Sequence, residues 1–274
     1  MQPAPCSAVH VQYGRLFQWK QQNSLGYGPG SDSDTSGASA AGRNLTIEST
    51  AGPGYLAGQA LAVYAAADRL SCYNCRFTGW QDTIFNGDPM TCNMKKLMLP
   101  DFFQASEVPI VHKFYRNYFK DCYVCGDVDY IFGPNTAFFD HCEIHSIARV
   151  SEGKAYITAA STPAGQEFGL VFSHCRITGE EPDSVYLGRP WRDCAKTAFI
   201  CCELGDHICP EGWQNWGKVR AEVLSDYIEY GNFGPGADCS GRSPLSRCLV
   251  NPEVETYFSK ENVLVGEDGW IPAE

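Results

Sequence analysis

The chain has 274 residues, with 32 acidic against 21 basic side chains and a formal net charge of -11. That length is enough to bury a sizeable core in one elongated domain, and the acidic balance argues against a nucleic-acid partner, which basic surfaces serve. No run approaches the roughly 18 apolar residues of a membrane-spanning helix, so no membrane association is expected.

Residues 1–6 show neither the basic nor the apolar region of an export signal. Residues 1–42 are rich in small residues, as in Gly26-Tyr27-Gly28-Pro29-Gly30 and Ser31-Asp32-Ser33-Asp34. They are expected to be irregular or linker-like, with a short strand at Val9-His10-Val11. From Arg43 onward a short unit recurs. It appears as Asn44-Leu45-Thr46-Ile47, Asn74-Cys75-Arg76-Phe77, Asp121-Cys122-Tyr123-Val124, His141-Cys142-Glu143-Ile144, His174-Cys175-Arg176-Ile177 and Cys201-Cys202-Glu203-Leu204. The shortest interval, Cys122 to Cys142, is 20 residues, about one minimal coil, and the longer intervals carry loops of uneven length. Hairpin signals are sparse and helical periodicity is weak through the middle, which argues for parallel strands. The expected fold is therefore all-β: a single-stranded parallel β-helix over residues 43–274, with loop insertions. The longest insertion, about residues 86–112, contains Asp88-Pro89, Leu99-Pro100 and Val108-Pro109 and is expected to be irregular, rimming a cleft. Residues 248–272 are expected to pack back on the stack.

Fourteen Cys are present, and Cys72-x-x-Cys75 with Cys122-x-x-Cys125 has the spacing of a zinc site. Their strand-like context points residues i and i+3 to opposite faces, so a ladder of small buried thiols is the better account. Disulfides remain open for an exported chain.

The candidate chemistry centres on Gly126-Asp127-Val128-Asp129-Tyr130-Ile131-Phe132-Gly133, where Asp129 interrupts an apolar strand. Burying that carboxylate costs several kcal/mol unless it is paired or used. Asp82 lies seven residues after Cys75, as Asp129 lies seven after Cys122. On successive coils the two acids would share a phase, on strands about 4.8 Å apart. Two carboxylates that close cannot both ionise comfortably, which yields a nucleophile and a general acid from one residue type. Gln81 adjoins Asp82, and Gln59 is a lone polar group entering an apolar run. A single Gln reads as a coil cap, but two converging on an acid pair read better as an oxyanion hole. Arg189, in Tyr186-Leu187-Gly188-Arg189-Pro190-Trp191, would keep Asp129 ionised and aimed, and Trp191 offers a flat face to a sugar ring. Taken alone, a structural ion pair with Trp as packing is an equal reading. Trp80, Phe85 and Phe132 are candidates for either core or sugar platform. The six histidines (His10, His112, His141, His145, His174 and His207) fall in no nucleophile-His-Asp pattern, and His141 and His174 are better explained as stack positions. No serine-nucleophile elbow, zinc-protease motif or phosphate loop is found.

Together these motifs resemble the pectin methylesterases (carbohydrate esterase family 8). The resemblance rests on Gly58-Gln59-Ala60-Leu61-Ala62, Gly79-Trp80-Gln81-Asp82-Thr83-Ile84-Phe85, the Gly126–Gly133 run, Tyr156-Ile157-Thr158-Ala159-Ala160 and Tyr186–Trp191. It runs from about Arg43 to near Pro272 and leans toward the bacterial branch. It implies a right-handed parallel β-helix and hydrolysis of methyl esters on polygalacturonate (methylated homogalacturonan) outside the cell, by a monomer, with no metal or other cofactor. Carried over by position, Asp129 matches the nucleophile, Asp82 the acid and base, Gln59 and Gln81 the oxyanion donors, Arg189 the orienting residue and Trp191 a substrate contact. The start departs from the family: residues 1–42 do not look like the coils and helix that normally precede this stretch, so a truncated or rearranged N-terminus is expected. A β-helical glycoside hydrolase and an inactive pectin-binding relative are the alternatives.

Overall fold

Each strand in the computed structural model pairs in parallel with a strand one coil further along, so the chain winds upward with three strands per turn. The structure describes residues 7–11, 17–20, 39–87 and 115–273. One sheet of seven strands runs from Ser7–Val11 through Leu45–Ser49, Arg76–Thr78, Tyr123–Gly126, Glu143–Ser146 and Arg176–Gly179 to Glu203–Leu204. The second, of six, contains Phe17–Lys20, Val63–Ala66, Ile84–Asn86, Val128–Gly133, Ala155–Ala160 and Val185–Gly188. The third, of eight, runs from Ala40–Arg43 through Leu70–Tyr73, Arg116–Lys120, Thr136–Asp140, Leu170–Ser173, Lys196–Ile200 and Asp226–Tyr230 to Ser246–Leu249. This is the right-handed parallel β-helix that the sequence led us to expect.

The stack differs from expectation at its start. Ser7–Val11 pairs with Leu45–Ser49, Phe17–Lys20 with Val63–Ala66, and Ala40–Arg43 with Leu70–Tyr73. Three short strands thus form a coil ahead of the expected boundary at residue 43, and Val9-His10-Val11 does lie in one of them. Strands of four or five residues carry little pattern of their own; the open backbone groups of the next coil select them. The Gly- and Ser-rich run 26–37 and the insertion from residue 88 to 112 lie outside the described residues.

The recurring unit marks the corner between the third and first sheets. Its polar residue takes a left-handed conformation in every coil, at Asn44, Asn74, Asp121, His141, His174 and Cys201, with φ between 49° and 54°. Asn and Asp tolerate this region because their short side chains bond locally; Asn74 Nδ2 donates to Asn44 Oδ1 at 2.7 Å. The sharp corner turns the following residue inward, which gives the column Leu45, Cys75, Cys122, Cys142, Cys175 and Cys202. Its thiols are buried and donate to backbone carbonyls, as Cys75 does to Tyr73 at 3.3 Å and Cys142 to Phe119 at 3.3 Å. One member of each Cys-x-x-Cys pair, Cys75 and Cys122, thus joins the expected thiol ladder, while Cys72 pairs with Phe119 in the third sheet and Cys125 with Thr78 and His145 in the first. Cys239 and Cys248 form a disulfide.

The core is built from like residues stacked on like. Ile47, Phe77, Val124, Ile144, Ile177 and Leu204 lie in register and fully buried. Phe119, Phe139, Phe172 and Phe199 stack face to face at 4.6, 4.7 and 4.5 Å between centroids. On the outer face of the third sheet, Val254, Val263 and Leu264 from the helices Glu253–Tyr257 and Lys260–Leu264 cover Tyr118, Phe138, Val171 and Ile228. The C-terminal stretch thus packs back on the stack, and Arg116 fixes it by bonding both Asp68 and Asp268. Replacing Phe139 with Ala removes the middle of the phenylalanine column. The unfolding free energy should fall by about 3–5 kcal/mol, with a lower denaturant midpoint at unchanged slope.

Candidate active site

Both acids stand on distorted backbone at matched places in successive coils. Ile84 and Phe85 pair with Ile131 and Phe132, and the same offset of 47 residues relates Asp82 to Asp129. Against the following strand the register slips between Val128 and Ile131, so Asp129 lies in a β-bulge. An extra residue there bends the strand and re-aims a side chain that regular alternation would direct elsewhere. Asp129 has φ 50° and Asp82 φ 66°, both left-handed. The two turns are tied together: Asp82 N–H donates to Val128 O at 3.0 Å and Asp127 N–H to Trp80 O at 3.3 Å. Such outliers are held only where the surrounding structure dictates them, and they cluster at functional sites.

Arg189 holds Asp129 with two parallel bonds, Nε to Oδ1 at 2.8 Å and Nη2 to Oδ2 at 2.7 Å. Its guanidinium is itself sandwiched, 3.9 Å from the centroid of Tyr156 and 3.7 Å from that of Trp216. Gly188 allows the approach, since a Cβ there would fall 2.0 Å from Thr158 Oγ1. Lys218 Nζ donates to the carbonyls of Pro190 and Trp191 at 2.6 and 3.0 Å, bracing the turn that presents Arg189 and Trp191.

Burial dominates the protonation of both acids. It pushes Asp129 up, while the hydrogen bonds and charge of Arg189, with Lys218 and Arg149 further off, pull it back. Asp82 is pushed well up, first by burial and then by the negative charge of Asp129. The acid with the bidentate partner thus keeps its charge more readily, and its neighbour is held toward the neutral form. A third buried acid, Asp127, is also raised by burial and accepts the Val128 N–H at 2.8 Å.

The other expected residues divide. Gln81 is half-buried beside Asp82, its side chain against Gly54, where a Cβ would meet Gln81 Oε1 at 2.3 Å. Gln59 is exposed, and its segment runs alongside through Ala60 N–H to Gln81 O at 3.2 Å. Trp191 is half-buried and meets Phe132 and Phe85 edge-on at 5.6 and 6.4 Å. Phe85 and Phe132 differ from the platform reading: they are 0% and 3% exposed, in an apolar cluster with Tyr64 and Ala159. They support Trp191 and present no free face to a sugar, because the pleat lays them on their neighbours in the ladder. Trp80 is half-buried. Sequence reasoning missed the clamp residues Tyr156 and Trp216, and Lys218. Tyr156 opens one of the motifs quoted above but was given no role there, and the signal for Trp216 was Gly212-Trp213-Gln214-Asn215-Trp216-Gly217, an aromatic pair between glycines.

A sequence model of the pectinesterase family, described as "Pectinesterase", matches residues 104–267. The chain belongs to the pectinesterase family. Among curated relatives it is 37% identical over 212 residues to pectinesterase 31 of Arabidopsis thaliana, covering 77% of this chain and 56% of the relative. It is 36% identical over 196 residues to probable pectinesterase A of Aspergillus fumigatus, covering 69% and 50%. The chain thus spans about half the length of the curated relatives it matches. These relatives are plant and fungal, whereas the sequence reading leaned bacterial. Among solved structures, the carrot pectin methylesterase superposes with a TM-score of 0.66 at 26% identity, covering 82% of this chain and 65% of that one. An Aspergillus niger pectin methylesterase does so with a TM-score of 0.62 at 30% identity, covering 84% and 64%.

Two stability measurements follow from the electrostatics of the acid pair. Arg189→Ala leaves Asp129 buried without its partner and should cost about 3–5 kcal/mol near neutral pH, a deficit that shrinks as acid protonates Asp129. Asp82 behaves oppositely. Its pKa is raised in the folded state, so below the ordinary carboxylate range both states carry the proton and no penalty exists. As pH rises the unfolded chain ionises first and stability is lost. Asp82→Asn should therefore melt above the parent at about pH 7, with the gap closing toward about pH 3.

Proposed function

We propose that this chain hydrolyses the methyl esters of polygalacturonate, releasing methanol and leaving a free carboxylate, and that Asp129 and Asp82 carry the reaction. The observation that carries this reading is the asymmetry of the acid pair. One buried carboxylate is aimed by a clamped arginine whose charge opposes the effect of burial, and its neighbour, without such a partner among the described residues, is pushed well toward the acid form. That is the pairing a nucleophile and a general acid require.

In the proposed course, a carboxylate oxygen of Asp129 attacks the ester carbonyl carbon. The carbonyl π pair moves onto oxygen, where the side-chain amides of Gln59 and Gln81 donate to it. The pair returns, the bond to the methoxy oxygen breaks, and Asp82 gives its proton to the departing methanol. An acid anhydride on Asp129 remains. Asp82, now anionic, takes a proton from water as the water oxygen attacks the sugar-side carbonyl of the anhydride. Asp129 leaves as carboxylate and Asp82 is protonated again, so each turnover consumes one water. Arg189 binds Asp129 in both of its anionic stages, and Trp191 lies against the sugar ring. The net charge of -11 suits this direction, because an esterified polymer is neutral while the product is a polyanion repelled by the protein. Pectin lies outside cells, and the Cys239–Cys248 disulfide agrees with an oxidising compartment.

Methanol and reducing ends measured in the same tubes, on highly methylated pectin, test the proposal. Methanol without new reducing ends is expected. Asp129→Asn and Asp82→Asn should lower the rate by roughly 10³-fold or more, and Gln81→Ala by about 10²–10³-fold. New reducing ends would move the reading to a glycoside hydrolase. A folded protein that retains pectin but yields no methanol would move it to an inactive relative.

A further inference from the structure

We propose that His174, Cys201 and Glu255 form a zinc-binding site on the corner of the β-helix remote in sequence from the acid pair, fastening the C-terminal helix to the stack. One ligand atom from each residue lies within 4.8 Å of the others. His174 Nε2 stands 3.7 Å from Glu255 Oε1. In a tetrahedral zinc site, bonds of about 2.0–2.3 Å place ligand atoms roughly 3.5 Å apart, so rotamer adjustments of about an ångström close the set around one ion. Nitrogen, thiolate sulfur and carboxylate oxygen are the donors zinc takes, and a water would complete four-coordination.

Two further features suit ligation. His174 Nδ1 is engaged by Ser173 Oγ at 3.0 Å, which fixes the ring and leaves Nε2 toward Glu255. Ligating imidazoles are held in this way through their other nitrogen. The ring plane is also set by His141, stacked on it at 5.2 Å between centroids and 7° between planes.

The second feature is Cys201 itself. The corner column of left-handed residues begins Asn, Asn, Asp, types that the conformation favours, yet at φ 54° the sixth member is cysteine. The inward thiol of that coil is already supplied by Cys202, so Cys201 adds nothing to the ladder. Cys201 is half-buried at the edge of the apolar cluster beneath the C-terminal helices, which brings its thiol beside Glu255. Gly231 occupies the next corner, where a Cβ would approach Cys201 Sγ to 3.1 Å.

Glu255 lies on the helix Glu253–Tyr257, whose Val254 is buried against the third sheet. An ion bridging His174 and Cys201 on adjacent coils to that helix would join two consecutive turns and the C-terminal segment.

The experiment uses the intact protein stripped with chelator and then titrated with zinc alone, and with cobalt(II) as a spectroscopic reporter. The expected result is one tight equivalent, a rise in Tm on saturation, and a thiolate-to-cobalt charge-transfer band. Glu255→Gln alters an exposed side chain and leaves the fold intact. It should weaken zinc binding at least about tenfold. Cys201→Ser should abolish the charge-transfer band and the Tm response. Absence of binding, or binding and a Tm rise that persist unchanged in both variants, would overturn the proposal.

Discussion

A carboxylate enclosed by protein and paired with a single guanidinium is the constraint on which the site depends. Asp129 is buried with a second acid, Asp82, at the matched place one coil away, and burial pushes its carboxyl toward the neutral form. Arg189 answers with two hydrogen bonds, and the guanidinium is immobilised between two aromatic faces. Every other part of the site adjusts to that pair. Asp82 is raised partly because Asp129 keeps its charge. Gly188 is glycine because Thr158 lies where a side chain would go. Lys218 braces the Pro190 and Trp191 carbonyls of the turn that delivers Arg189.

The β-helix supplies the rigidity this requires. Parallel ladders on three faces satisfy the backbone, and stacked Phe, Ile and thiol columns leave little freedom for one coil to slide on the next. Against that regular background, two irregularities outside the repeated corner fall together. The bulge at Asp129 and the left-handed Asp82 lie on the same sheet, one coil apart. A regular strand would direct the two acids by strict alternation; the distortion lets the protein aim them. The third sheet, by contrast, is covered by the C-terminal helices, whereas the strand that carries Asp129 belongs to the second.

Much of the architecture was legible because a solenoid repeats itself in the sequence. The polar-then-Cys corner recurs at Asn74-Cys75, Asp121-Cys122, His141-Cys142 and His174-Cys175, since the same left-handed corner must be made in each coil. The strand run at Val9-His10-Val11 was visible, but the coil around it was not. Its strands are too short to announce themselves without the template they pair with. The aromatics stayed open between core and platform for a related reason: Phe85 and Phe132 carry no mark that separates a sugar platform from a residue laid on its neighbour in the ladder, and the structure buries both.

The sequence alone determined the coil period, the thiol ladder, the phase that matches Asp82 with Asp129, and Arg189 as the natural partner for a carboxylate. These are local or periodic properties, fixed by residue type and spacing along one chain. Tertiary structure decided that Arg189 closes on Asp129 across 60 residues. It decided that Tyr156 and Trp216 clamp the guanidinium, and that His174 and Cys201 meet Glu255 from the C-terminal helix. Those contacts depend on loop lengths and on how the last helices fold back, and no periodicity in the chain encodes a meeting between segments that share no register.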